Sequence, residues 1–334
     1  MKFNTSWKKM FSDYMVWTLV IATFLILSLT IPNYFSITNF IFILVQSVTI
    51  GVLAIGEAYV LMTGNFDLSI EATLGFSVVL AGWLITAPPV GLGIYLHPLL
   101  GLLIALGVGV LVGLLNGLLI VKLGINSFLV TLAMQITLRG FAFLVTKGAT
   151  LYNLPALFRK IGGATLIHDF FPVSIIIGIV FYLGAYWMLE KSSFGRKILM
   201  VGGNKEACKS SGIKTDKVLI LVFIISSVLA SVGGVILGSR LNTIPCTLGQ
   251  NMGFTVIAAC VLGGVSLTGG KGTILGVLGG VLFLGLIESA LTVLDVSPYW
   301  VMFVRGLVIL LAIVIDRLKN TSKPLLKLHS STSH

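Results

Sequence analysis

Long apolar runs, separated by short polar or glycine- and proline-rich breaks, are the feature that most constrains how this chain can fold. An α-helix needs about 20 apolar residues to cross a bilayer, and most of the runs come close to that length. Only 10% of the 334 residues are charged, against about 25% in soluble domains. The sequence therefore predicts an all-α, polytopic membrane protein with a single domain, 1–334, and ten transmembrane helices at 15–31, 40–62, 67–86, 98–121, 127–146, 172–189, 218–238, 252–267, 272–292 and 300–316.

The basic residues indicate how these spans are oriented. The first apolar run follows the basic segment MKFNTSWKKMF and has no small-residue cleavage site, so we expect an uncleaved span. Ten spans then place both termini on one side of the membrane. If that side is the cytoplasm, 16 basic residues lie inside and 4 outside, as the positive-inside rule requires. The four outer residues are Lys147, Arg159, Lys160 and Arg240.

The net charge of +11 does not indicate a nucleic-acid partner. The basic residues are scattered through loops and tails, without the motif context of a nucleic-acid-binding module. Cys208, Cys246 and Cys260 show neither metal-ligand spacing nor a pairing framework. We therefore expect three free thiols and no metal site, with Cys208 inside and Cys246 in an outer loop that an impermeant maleimide can label.

The segment GVSLTGGKGT at 264–273 invites comparison with a phosphate-binding loop but does not fit the pattern. That loop requires Gly, four residues, then Gly-Lys-Ser/Thr. Here Val265 stands where the first Gly is needed and Gly272 where Ser or Thr is needed. Metalloprotease, nucleophile-elbow and His/Cys ligand patterns are also missing from the sequence. We therefore expect no cofactor in this chain and no enzymatic activity.

The most charged segment of the chain is 190–217, which separates two apolar runs. Within it, Asn204 can cap a helix start, Glu206 complements the positive helix end, and Gly212 can adopt the left-handed conformation that ends a helix. These residues predict a short helix from Lys205 to Ser211. Such a helix is unstable alone in water and must dock on its own bundle or on a partner. The alternative also stays open that this segment is a surface loop whose basic residues only fix topology.

Several ionisable residues lie in or beside the predicted spans, where charge is costly and normally faces the bundle interior or a watery cavity. Arg139 is central in its span, and we expect it to pair with Glu57 or Glu288 or to contact a substrate. Asp67 and Glu71 follow a Gly-Asn break one helical turn apart and are expected to cap a helix start on one face. The full set is Glu57, Asp67, Glu71, Arg139, Glu288 and Arg305.

Glycines recur at every fourth position in two spans, which places each set on one helix face where a neighbouring backbone can approach closely. The two sets are Gly109, Gly113 and Gly117, and Gly272, Gly276 and Gly280.

The segments 58–75 and 258–276 are faintly alike at an offset of 200 residues. In transporters, such repeats often place broken helices around a central pathway. The matching pairs are Ala58 and Ala258, Gly64 and Gly264, and Thr73 and Thr273.

Four motifs together resemble the permease subunits of ribose-type sugar ABC importers, over nearly the whole chain and in the same order. They are GNFDLSIEATLG at 64–75, FGRKILMVGGNKEACKSSGI at 194–213, IAACVLGGVSLTGGKGTILG at 257–276 and SPYWVMFVRGLVILLAIVIDR at 297–317. The resemblance implies a subunit in the bacterial cytoplasmic (inner) membrane that moves a monosaccharide or sugar-like solute inward by alternating access. It also implies partners: cytoplasmic ATP-binding subunits that hold ATP and Mg, a periplasmic or lipid-anchored sugar-binding protein, and a second permease subunit.

In that family the segment matching 190–217 is a coupling loop whose short helix docks in a groove of the ATPase. The matching residues are Gly195, Arg196, Gly202, Gly203, Asn204, Glu206, Ala207 and Gly212. The chain departs from the family at Asn65 and Phe66, where Gly-Ile is common, and at Glu71, where a small residue is usual. These departures leave the substrate open among ribose, xylose, galactose, rhamnose and autoinducer-2. The candidates for polar groups along a translocation path are Glu57, Asn65, Asp67, Arg139 and Glu288.

Two other interpretations of the residues stay open. One is an ion- or proton-coupled secondary transporter in which Glu57, Arg139 and Glu288 relay charge. The other is a structural or assembly membrane protein with no pathway at all.

Overall fold

The computed structural model describes residues 4–166 and 171–297 and, beyond them, 299–300, 302–304, 306–307, 310 and 314. The described chain is mainly helical, with one short antiparallel hairpin of β1 (Thr165–Leu166) and β2 (Phe171–Pro172). A π-helical turn, Trp187–Lys191, follows the seventh helix. The helices are α1 (Asn4–Thr30), α2 (Ile37–Met62), α3 (Ile70–Ile85), α4 (Pro98–Lys122), α5 (Ser127–Thr146), α6 (Ala156–Gly163), α7 (Val173–Tyr186), α8 (Ser193–Gly203), α9 (Lys205–Ser210), α10 (Thr215–Leu241), α11 (Met252–Leu262) and α12 (Ile274–Val293).

Six described helical segments are long and apolar enough to cross a membrane: α2, α4, α5, α7 with its π-helical turn, α10 and α12. Three shorter apolar helices correspond to the remaining predicted spans before residue 293, namely Met15–Thr30 within α1, α3 and α11. The largest boundary differences are in α1, which begins at Asn4 rather than 15, and in α11, which ends at Leu262 rather than 267. The span 300–316 and both termini lie largely outside the described residues, so the tenth helix and the inner placement of the termini stay predictions.

The centre of the bundle is formed by α2 and α10. Two thirds of the apolar window of each helix is buried, 67% in both cases, and α10 packs against α2, α3, α4 and α6. In α2 every residue from Gly51 to Met62 is buried, a pattern typical of a helix surrounded by other helices. The helices α4, α5 and α7 instead carry exposed leucines such as Leu103, Leu144 and Leu183, as expected where a helix faces lipid.

Glycines bring α4 and α10 into close backbone contact, as their spacing predicts. A Cβ on Gly113 would lie 2.5 Å from both the Ile224 Cα and the Phe223 carbonyl oxygen. Gly109 and Gly117 face the same helix, against Ser231 and Ile220. In the second set, Gly276 and Gly280 pack against the backbone of α11. The prediction is wrong for Gly272, which precedes α12 in an extended connection and so is not on a helix face.

The predicted internal repeat has a matching backbone in the structure. After α2, the amide of Gly64 donates to the Leu61 oxygen and that of Asn65 to the Val60 oxygen. After α11, the same two bonds occur 200 residues later, from Gly264 to Val261 and from Val265 to Cys260. Both glycines have positive φ, +76° and +84°. Each break therefore ends a helix with the same left-handed turn before the next helix begins.

Segments predicted to lie on one side of the membrane meet in the structure. The Gly270 amide donates to the Met62 oxygen over 2.8 Å, and a Cβ on Gly202 would lie 1.8 Å from that same oxygen. At the other end of the bundle, Leu151 and Ile244 form an antiparallel bridge. The breaks after α2 and α11 thus lie together with the end of α8.

The three cysteines are free, as predicted, but all three are buried. Cys246 lies in the connection between α10 and α11, where its thiol donates to the Gly148 oxygen over 3.5 Å. Only 6% of Cys246 is exposed. This burial argues against the expected labelling of Cys246 by an impermeant maleimide, while its place in an outer loop stays a prediction.

Candidate functional site

The segment 190–217 folds as two consecutive helices, of which the sequence analysis predicted only the second. Ser192 begins α8, its hydroxyl accepting a hydrogen bond from the Gly195 amide over 3.1 Å. The helix ends at Gly203, and Asn204 then both closes α8 and opens α9. The segment is thus an ordered unit between α7 and α10.

The short helix α9 has the caps that its sequence predicts. The Asn204 side chain accepts a hydrogen bond from the Ala207 amide over 2.9 Å, and Glu206 in the first turn forms an exposed ion pair of 3.3 Å with Lys209. Gly212 takes a φ of +78°, which lets the Ile213 amide return to the Cys208 oxygen over 3.0 Å. Local capping therefore accounts for both ends of α9.

One side of α9 docks on its own bundle and the rest is open. The helix packs against α8 and α10, and Cys208 is its one buried residue. Ala207 is exposed. Of the two docking alternatives, the structure therefore contains the contact with the bundle, and it leaves a free surface around Ala207 for a second contact.

The glycines of this segment fall into two kinds. Gly195 and Gly202 are close-packed, since an added Cβ would lie 2.1 Å from the Leu189 oxygen and 1.8 Å from the Met62 oxygen, respectively. Gly203 and Gly212 have nothing within 4 Å of such a Cβ. Gly195 and Gly202 therefore shape the segment from within, whereas Gly203 and Gly212 lie on its exposed surface together with Arg196.

Two candidate carboxylates, Glu57 and Asp67, lie together in the bundle interior, each 0% exposed. The Asp67 amide donates to the Glu57 carboxylate over 3.4 Å, and the Asp67 carboxylate accepts from the hydroxyls of Ser69 and Ser226. The Asn116 amide nitrogen donates to the Ser69 hydroxyl over 2.9 Å. This buried carboxylate cluster joins α2, α4 and α10 to the residues that lead into α3.

Arg139 pairs with Glu71, and the expectation of Glu57 or Glu288 as its partner is wrong. The guanidinium lies 3.5 Å from the Glu71 carboxylate and donates to the Leu248 oxygen over 3.1 Å. The other Glu71 oxygen accepts from the Gly253 amide over 2.9 Å. Glu71 has this role because α11 begins next to the first turn of α3, which sequence spacing does not reveal.

The remaining candidates lie in different places. Asn65 is half-buried in the break after α2, where its side chain donates to Thr63. Glu288 lines a cavity between α2, α10, α11 and α12, together with Arg240. Arg240 is in the last turn of α10, at the end of that helix predicted to lie outside. The structure therefore brings together Glu57 with Asp67, and Glu71 with Arg139, and it separates Glu288 from both pairs.

The hydroxyls of Ser127 and Thr131 hold the break after α2 in place, and the sequence analysis did not identify them. The Phe66 amide donates to the Ser127 hydroxyl over 3.3 Å, and the Leu68 amide donates to Thr131 over 3.0 Å. Both side chains lie one turn apart at the start of α5. Polar residues at i and i+4 in an apolar span are the pattern that could have identified them.

The fold and these contacts define a multi-pass helical membrane protein in which the breaks after α2 and α11 meet beside the end of α8. Within the part of the chain that the structure describes, no three His, Cys, Asp or Glu side chains are grouped as metal ligands. No solved structure gives a significant match to the chain.

Residues 39–313 match the family described as branched-chain amino acid transport system / permease component. The chain is 36% identical to the L-arabinose ABC transporter permease protein of Azospirillum brasilense, over 94% of this chain and 89% of that protein. It is 36% identical to the ribose import permease protein of Escherichia coli, over 88% and 90% of the two chains. It is 33% identical to the autoinducer 2 import system permease protein of Yersinia pestis, over 89% and 82%.

These matches cover the described bundle from α2 to α12. The chain belongs to this permease family and, within it, to the ribose-type sugar ABC importer permeases.

Proposed function

We propose that this chain is the membrane-spanning subunit of an ATP-driven importer that moves a monosaccharide or sugar-like solute into the cytoplasm by alternating access. The observation that carries the proposal is the match to arabinose, ribose and autoinducer 2 permeases over most of each chain. The chain itself hydrolyses nothing. ATP and Mg are bound by a separate cytoplasmic subunit, and a sugar-binding protein delivers the solute to the outer face in the bacterial inner membrane.

In this proposal α9 is the contact that transmits ATP hydrolysis to the bundle. Its exposed surface around Ala207 docks in a groove of the ATP-binding subunit. Support comes from the position of α9, which directly follows α8. Gly202, at the end of α8, lies against the end of α2. The Asn204 amide donates to the Met200 oxygen and so joins the start of α9 to α8. A displacement of α9 therefore acts on α2, the central helix, through backbone contacts rather than through flexible side chains.

A ligand shifts an equilibrium between two conformations only by its different affinity for them. The proposal therefore requires only weak binding of the solute by the permease, with selectivity supplied by the binding protein. A second permease subunit, identical or related, completes the assembly.

The experiment that tests the proposal is uptake into vesicles containing this permease with its ATP-binding subunit and binding protein. Labelled ribose, arabinose and autoinducer 2 are offered with internal or external ATP, with and without an uncoupler. We expect uptake that requires ATP on the side of the ATP-binding subunit and is unchanged by the uncoupler. Uptake that the uncoupler abolishes while ATP is present would instead support a proton-coupled transporter, and no uptake of any solute would support a structural role.

A further inference from the structure

The break after α2 buries two carboxyl groups next to each other. Glu57 lies near the end of α2 and Asp67 shortly before α3, and each residue is 0% exposed. The Asp67 amide donates to one oxygen of the Glu57 carboxyl over 3.4 Å, and the two carboxyls are close enough to repel each other when both are charged. No basic side chain among the described residues forms an ion pair with either of them. Within that part of the chain, two negative charges at this place would have no counter-ion.

The surroundings of Asp67 suit a negative charge. Its carboxylate accepts hydrogen bonds from the Ser69 amide over 3.1 Å, from the Ser69 hydroxyl, and from the Ser226 hydroxyl over 2.9 Å. The Asn116 side-chain nitrogen donates to the same Ser69 hydroxyl over 2.9 Å, which leaves the hydrogen of that hydroxyl for Asp67. Several donors around one carboxyl favour its charged form. Asp67 is therefore the ionised member of the pair.

The surroundings of Glu57 suit the neutral form. One of its carboxyl oxygens accepts the Asp67 amide, whereas the other is buried without a hydrogen-bond partner among the described residues. The thiol of Cys260, which also lies near Glu57, is buried and donates to the Ala54 oxygen over 3.3 Å. A second negative charge beside the ionised Asp67 is strongly unfavourable here, and a carboxyl in such a position takes up a proton instead.

The two carboxyl groups lie where the break is fastened to its neighbours. Asp67 ties the break to α10 through Ser226, and its amide ties the start of α3 to α2 through Glu57. At the end of α2, the Met62 oxygen accepts the Gly270 amide over 2.8 Å. A negative charge on Glu57 would repel the Asp67 carboxylate. It would therefore push the residues that lead into α3 away from α2.

We propose that Glu57 carries a proton in the folded permease and that this proton keeps the break after α2 closed. When Glu57 gives the proton to a base in solution, the carboxylate that remains repels Asp67 and the break opens. The site thus makes the junction between α2 and α3 sensitive to pH, tighter in acid and looser in alkali. The inference goes beyond the proposed function and does not depend on it, because the two carboxyl groups repel each other whatever drives transport.

The proton can be observed in the infrared spectrum of the purified full-length permease in a detergent without ester groups. A protonated carboxyl has a C=O stretching band that a carboxylate lacks. At neutral pH we expect this band in the parent and its loss in Glu57→Gln, which keeps the shape of the neutral side chain. The matched control is Glu206→Gln, because the Glu206 side chain is 81% exposed. This control should keep the band.

The stability of the parent should fall as the pH rises. The unfolded chain loses this proton above about pH 4.3, where a free glutamate is half ionised, whereas the folded chain keeps it at neutral pH. Unfolding then releases one proton, so each pH unit in this window lowers the folding equilibrium constant by up to roughly tenfold. Glu57→Gln has no such proton, and its thermal unfolding midpoint should depend less on pH. Cys260→Ala should keep the pH dependence of the parent, which separates Glu57 from the neighbouring thiol.

Opening of the break can be measured by maleimide labelling of Thr63→Cys. Thr63 follows the last residue of α2 and is 7% exposed. We expect its labelling rate, divided by that of the exposed Ser210→Cys, to rise several-fold from neutral to alkaline pH. The division removes the pH dependence of the maleimide reaction itself. When Glu57→Gln is added to Thr63→Cys, the ratio should no longer change with pH.

Four outcomes would each overturn the inference: a band that survives in Glu57→Gln, equal pH dependence of stability in the parent and Glu57→Gln, a labelling ratio that ignores pH, or failure of Glu57→Gln to fold. The last counts because this variant reproduces the neutral side chain. A band that appears only when choline replaces sodium in the buffer would show that a cation occupies the site, which also contradicts the proposal. If uptake proves not to be ATP-driven while the expected results hold, the proposed function fails and the proton site stands.

Discussion

Arg139 of α5 and Glu71 of α3 form an ion pair of 3.5 Å beside the loop that leads into α11. The Glu71 side chain is only 6% exposed and that of Arg139 17%. Replacing Arg139 with Leu leaves the Glu71 charge buried without its counter-ion and also removes the bond to Leu248. Because breaking a buried pair from one side typically costs about 3–5 kcal/mol, we expect a clear fall in the thermal unfolding midpoint of the purified permease.

Two further variants separate the charge from the shape of the side chain. Arg139→Lys keeps the charge but has one nitrogen where Arg139 uses two, so its unfolding midpoint should lie between those of the parent and Arg139→Leu. In the double variant Glu71→Gln with Arg139→Gln, the loss of stability should be smaller than the sum of the losses in the two single variants Glu71→Gln and Arg139→Gln. Additive losses would mean that the two residues stabilise the fold independently.

This pair also shows what sequence reasoning could and could not supply. The caps of α9 were predicted because Asn204 and Gly212 act on amides a few residues away, so the information is local. The partner of Arg139 depends on where α11 begins relative to α3, which is a tertiary relationship with no local pattern. For the same reason the spans and glycine contacts of α4 followed from periodicity, whereas the cavity lined by Arg240 and Glu288 did not.

The contact between α4 and α10 predicts opposite results for two glycines of one helix. Gly113→Ala places a Cβ about 2.5 Å from backbone atoms of α10, so the helices must separate, at a cost of about 1–3 kcal/mol. Gly107→Ala meets nothing within 4 Å and should be neutral or slightly stabilising, since Ala favours a helix. The measurement is the thermal unfolding midpoint of each variant, and a tolerated Gly113→Ala would contradict close packing at this position.

Topology can be tested at exposed positions, since the native thiols are buried. Thr247, in the connection between α10 and α11, and Ser210, in α9, are both exposed. In intact cells an impermeant maleimide should label Thr247→Cys and spare Ser210→Cys until the membrane is opened. The parent chain, with its three buried cysteines, is the control for background labelling. The reverse pattern would mean that both the orientation and the proposed role of α9 are wrong.

The exposed surface of α9 predicts how coupling fails. Ala207→Asp adds a charge that must be desolvated if this surface enters a protein groove, while the helix tolerates an acidic residue in its first turn. We expect normal amounts of permease in the membrane, but loss of co-purification with the ATP-binding subunit and of solute-stimulated ATP hydrolysis. Ala207→Ser, small and uncharged, is the control and should couple like the parent. Normal assembly of Ala207→Asp would show that α9 serves topology alone.

The matched breaks after α2 and α11 predict a graded series of glycine variants. Gly64 and Gly264 have φ of +76° and +84°, and a Cβ at either position would meet no atom closer than 3.5 Å. Only backbone strain then opposes Gly64→Ala and Gly264→Ala, and the two should lose similar stability, about 1–2 kcal/mol each. Gly269 has the same backbone strain, at +84°, but its Cβ would also lie 2.8 Å from the Gly202 oxygen and the Gly64 nitrogen. Gly269→Ala must therefore separate the two breaks and α8, and its loss of stability should exceed that of the other two. Thermal unfolding of the three variants measures the order, and equal losses at all three would mean that the breaks do not touch as the structure describes.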